Sequence, residues 1–75
     1  MNAHMVERVR DFLMRDCDAL AAFYEAREDY EERGLWSQLA SDVCHMAPGL
    51  LELQASYLAQ MVAVGAERLP TTGET

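Results

Sequence analysis

Residues 36–64 read WSQLASDVCHMAPGLLELQASYLAQMVAV, and the spacing within this stretch decides the fold. Trp36, Leu39, Val43, Met46, Leu50, Leu53, Tyr57 and Val64 recur at intervals of three and four, interrupted only by Gln60. That alternation sets them on one side of an α-helix. A second row, Cys44, Leu51 and Leu58, widens the face, and Ala40, Ala47 and Met61 flank its other edge. One partner helix from a 75-residue chain is too narrow to cover it. The stretch therefore predicts an α-helical protein that shelters part of this face against a second chain.

Pro48-Gly49 interrupts the run. A proline inside a helix removes a hydrogen bond and crowds the carbonyl four residues back, here that of Cys44. The apolar phase nevertheless carries across, since Met46 and Leu50 keep their interval, so one kinked helix is favoured over two separate ones.

Upstream, good helix formers run without Gly or Pro to Arg33. The first helix is expected to start near Asn2–Met5, with Val6, Val9, Leu13, Leu20, Phe23 and Tyr30 facing the core. Gly34 reads as its stop, supplying a left-handed C′ residue. So short a connection folds two long helices into an antiparallel hairpin. The expected fold is thus all-α: a two-helix hairpin over residues 1–64, kinked or split at Pro48-Gly49, dimerising into a four-helix bundle. Residues 65–75 lose periodicity and read as a disordered tail. The LPTTG within them resembles a sortase signal, but the chain ends two residues later, so the match reads as chance.

A lone core of this size supplies only about 3–5 kcal/mol without disulfides, metal or a partner. A net charge of −7 argues against direct nucleic-acid binding and against a cationic membrane-surface helix. It permits docking onto a basic protein surface. No apolar run reaches membrane-spanning length and no charged-then-apolar leader is present, so a cytoplasmic protein is expected. All six basic residues are arginine and isoleucine is missing, which suggests a GC-rich bacterial or phage genome.

Among polar features, Asp11, Asp18, Glu25 and Glu32 recur every seven residues, and Glu28 and Asp29 thicken the row. On a continuous helix they form an acidic strip, either a docking surface for a basic groove or an ordinary solvated face. A metal site would have to draw on Glu32, Asp42 and His45, an incomplete imitation of the Glu-x-x-His pattern of di-iron bundles. With a turn at Gly34, Cys17 and Cys44 fall about 12 Å apart along the hairpin, beyond disulfide reach, and read as free thiols. No serine has an evident histidine partner and no glycine-rich phosphate loop occurs, so neither catalysis nor a cofactor is expected. The residues expected at a dimer or partner interface are Trp36, Leu39, Val43, Met46, Leu50, Leu51, Tyr57, Leu58 and Met61, rich in the aromatic and Met side chains that interfaces favour. The function expected is that of a noncatalytic acidic regulator, inhibitor or adaptor binding itself and another protein. A metal-binding hairpin oligomer, or a subunit of a larger assembly, is the competing reading.

Overall fold

A computed structural model describes residues 2–69 and shows three helices rather than two: α1 (Ala3–Ala26), α2 (Tyr30–His45) and α3 (Pro48–Glu67). The all-α expectation stands, but the simple hairpin does not. Asn2 caps α1, its side-chain oxygen accepting from the Met5 N–H at 2.8 Å. That satisfies one of the orphan donors at a helix start.

The first turn lies at residues 27–29 and not at Gly34. The Glu28 N–H donates to the Glu25 carbonyl at 3.0 Å and the Asp29 N–H to the Tyr24 carbonyl at 2.9 Å. This is a Schellman closure, with Glu28 in the left-handed position at φ 61°. Asp29 then caps α2 by accepting from the Glu32 N–H at 3.2 Å, while Glu31 and Glu32 favour the positive end of its dipole. Gly34 sits inside α2 with open space around it. Because a non-glycine residue pays about 1–2 kcal/mol for left-handed backbone, Glu28→Gly is expected to stabilise the protein by about 1 kcal/mol. A urea midpoint raised at unchanged slope checks this. A lowered midpoint would mean the Glu28 side chain contributes more than its backbone strain costs.

The second break corrects the expectation of a kinked helix. Met46 (ψ 134°) and Ala47 (ψ 145°) are both extended, and Pro48 occupies the first turn of α3. Proline disfavours α backbone in the residue before it, and at a helix start its missing N–H leaves nothing unsatisfied. Two extended residues end α2, and the chain reverses direction there.

The core shows the consequence. It comprises Val6, Leu13, Cys17 and Leu20 of α1, Ala40 and Val43 of α2, and Leu51, Leu58 and Val62 of α3. On α3 the second row points inward, and Leu50, Leu53, Tyr57 and Val64 of the first row, with the flanking Met61, are exposed, Leu53 by 82 %. On α1, Phe12 and Tyr30 just past the turn are likewise exposed, contrary to a core role for Tyr30. The described chain continues as helix past residue 64 to Glu67, and Leu69 packs against the core, so residues 65–69 are not a tail. The remainder of the expected tail, including most of LPTTG, lies outside the described residues.

Helix α1 packs against both α2 and α3, whereas the α2 and α3 backbones approach each other far less. Arg10 meets the end of α2, and Trp36 near its start meets Gly65 near the end of α3, so the helices run up, down and up. Their splay opens the site described next.

Candidate docking groove

The gap between α2 and α3 is an open groove of about 670 Å³. Leu35, Trp36 and Leu39 line it from α2; Tyr57, Met61, Val64 and Gly65 line it from α3. Glu32, Gln38, Asp42, Gln60 and Arg68 form a polar rim. An apolar floor within a polar rim is the general anatomy of a protein-docking surface.

Gly65 shapes one end. A β-carbon there would stand 2.6 Å from Trp36 Cη2 and closer still to Cζ2, so only glycine lets the indole lie on α3. Trp36 is half-buried, touching both walls, and its Nε1 finds no hydrogen-bond partner among the described residues. Tyr57, 60 % exposed, stands at the middle of the α3 wall. Nothing in the sequence alone distinguishes Gly65 from the tail; only Trp36, twenty-nine residues earlier, gives it a purpose.

The residues expected at an apolar interface therefore divide. Trp36, Leu39, Tyr57 and Met61 line the groove, and Leu50 lies exposed along the same row as Tyr57 and Met61. Met46 is half-buried against the core. Val43, Leu51 and Leu58 are sealed inside the protomer, Val43 and Leu51 completely, and cannot meet another chain. Leu35, Leu53 and Val64 belong to the open face but were missing from the expected interface set.

The acidic strip does not form as one line. Asp11, Asp18 and Glu25 are exposed on α1, but α1 ends at Ala26. Glu28 and Asp29 fall in the turn, where Asp29 is engaged as a cap, and Glu32 crosses to α2 on the groove rim. A seven-residue repeat makes a line only while the helix continues.

Two of the candidate metal ligands are tied locally. Asp42 accepts from Gln38 at 2.9 Å, and His45 Nδ1 lies 2.9 Å from the Ser41 carbonyl oxygen. Among the described residues, no three His, Cys, Asp or Glu side chains converge as a metal site would require. Cys17 and Cys44 are both free; burial, with Asp18 and Asp16 nearby, pushes the Cys17 thiol up to about 11, which keeps it protonated and unreactive. Among the described residues, no helix is long and apolar enough to cross a membrane. Comparison with family models, curated proteins and solved structures finds no match to this chain.

Proposed function

We propose that this protein is a noncatalytic protein-binding module, a small acidic regulator, inhibitor or adaptor of the cytoplasm. Its α2–α3 face takes a helix supplied by another chain, so that α2, α3 and the incoming helices complete a four-helix packing. The observation that carries this reading is the row Leu50, Leu53, Tyr57, Met61 and Val64, exposed along an open apolar groove. Single exposed apolar residues are ordinary on a protein surface, but a contiguous row of this size marks an interaction site. Helix-in-groove recognition uses anchors at intervals of three and four, which this row supplies.

The acidic face of α1 is the lesser candidate, since its charges are solvated and spread. The two surfaces are separable by a photo-crosslinking amino acid at Met61 or at Asp18 in the full chain, irradiated in the producing cell. Adducts to another chain are expected at position 61 and persist in high salt, because apolar contacts are not screened. Adducts confined to position 18, or none at 61, would overturn the groove as the binding face.

A further inference from the structure

We propose that the occupant of the groove is a second copy of this chain, the two α3 helices lying antiparallel about a two-fold axis at Tyr57. This rests on the reading that the face receives a helix from another chain, and it names that chain.

Three observations converge on a self-partner. The exposed row on α3 reads the same from either end: Leu50, Leu53, Tyr57, Met61 and Val64 are separated by three, four, four and three residues. An antiparallel pair centred on Tyr57 therefore sets Leu50 opposite Val64, Leu53 opposite Met61, and Tyr57 opposite itself. Two-fold interfaces need this self-complementarity, because one patch must serve both sides. A helix of unrelated sequence has no need of it.

Charge points the same way. The chain carries −7, so two copies repel through most of their surfaces. Residues 53–66 contain no Asp, Glu, Lys, Arg or His. This uncharged window on α3 is where copies meet with the least of that penalty, the acidic side chains of the groove, Glu32 and Asp42, lying on α2. A helix lacking a charged face belongs in an interior, yet one protomer buries only Leu51, Leu58, Val62 and Gly65 of α3.

The area is also adequate. Leu35, Leu50, Leu53, Tyr57, Met61 and Val64 range from 36 % to 82 % exposed. Together they leave on the order of 700 Å² per protomer, close to the roughly 800 Å² per partner of a standard stable interface. In the pair, each α3 lies against the partner's groove beside Leu35 and Leu39, and the acidic faces of the two α1 helices stay outside.

Sedimentation velocity of the full chain across a dilution series tests this. The native chain is expected to sediment at twice its 8.5 kDa mass. Tyr57→Glu and Tyr57→Lys are each expected to weaken dimerisation at least tenfold with helical circular dichroism unchanged, since Tyr57 is exposed in the protomer. Mixing the two variants is expected to restore a dimer, because position 57 faces itself across the axis. A native chain monomeric at its highest soluble concentration would overturn the proposal. So would dimers undiminished in both variants, or a mixture that stays monomeric. A monomeric native chain that still crosslinks at position 61 to a different protein would end self-pairing while leaving the docking face intact; no adduct of any kind would end both.

Discussion

Leu51→Ala is expected to unfold much of the protein at 25 °C, while Leu50→Ala leaves it folded. The two leucines are chain neighbours in the same helix, yet Leu51 is fully buried and Leu50 is 48 % exposed. Truncating a buried leucine removes its transfer free energy and leaves a cavity among its packing neighbours, a loss of about 2–5 kcal/mol. A core of this size holds only about 3–5 kcal/mol in total. Truncating a half-exposed helical leucine changes stability by about 0.5 kcal/mol or less. Urea denaturation followed by circular dichroism measures both, in a Tyr57→Glu background so that any loss of a partner chain does not enter the comparison. Equal losses, or the larger loss at Leu50, would mean that α3 presents the Leu50 row to α1.

Arg10→Ala is expected to cost about 2–3 kcal/mol, from the loss of charge-assisted hydrogen bonds to partly buried carbonyls. Arg10 Nη1 donates to the carbonyls of Val43 at 2.7 Å, Cys44 at 3.3 Å and Met46 at 2.7 Å. Its Nε donates to Glu7 Oε2 at 2.7 Å, and the side chain is only 11 % exposed. The last carbonyls of a helix lack intrahelical donors and carry the negative end of its dipole. A single guanidinium on α1 thus closes α2 and holds the extended Met46 whose backbone re-aims α3. Arg10→Lys is expected to recover about half of the loss, because an ammonium keeps the charge without the planar array of donors. Glu7→Gln is expected to change little, that carboxylate being exposed. A cost below about 0.5 kcal/mol for Arg10→Ala would show that water replaces the guanidinium and that packing alone orients α3.

Both results bear on what was readable from residue order. Helical periodicity correctly marks both segments as helix, and the excess of apolar residues correctly implies that something is left uncovered. Residue type points to Gly34 for the first turn, since glycine best tolerates left-handed backbone, whereas the chain places Glu28 there. A local signal was present: Asp29-Tyr30-Glu31-Glu32 has the Asp-x-x-Glu spacing of a helix start. The second break was visible as Pro48, but its effect was not. A kink keeps the chain running onward, and two extended residues let it turn back.

Arg10 carries no such signal. As one of six arginines on a helical sequence it reads as surface charge, and its partners lie 33 to 36 residues away. Gly65 is similar, since its purpose is set by an indole on another helix.

Residue order alone determined the helical class, the acidic and cysteine-poor character, and the presence of more apolar surface than this chain shelters. Each is a property of local spacing or of totals, which folding does not alter. Only the tertiary structure decided which leucine row of α3 turns inward, because that depends on the backbone angles of Met46 and Ala47 and on how Arg10 and the α1 core receive the helix that follows. Leu50 and Leu51 stand about 100° apart around the helix, and both fall within the wide apolar arc that the spacing marks, so the spacing does not choose between them.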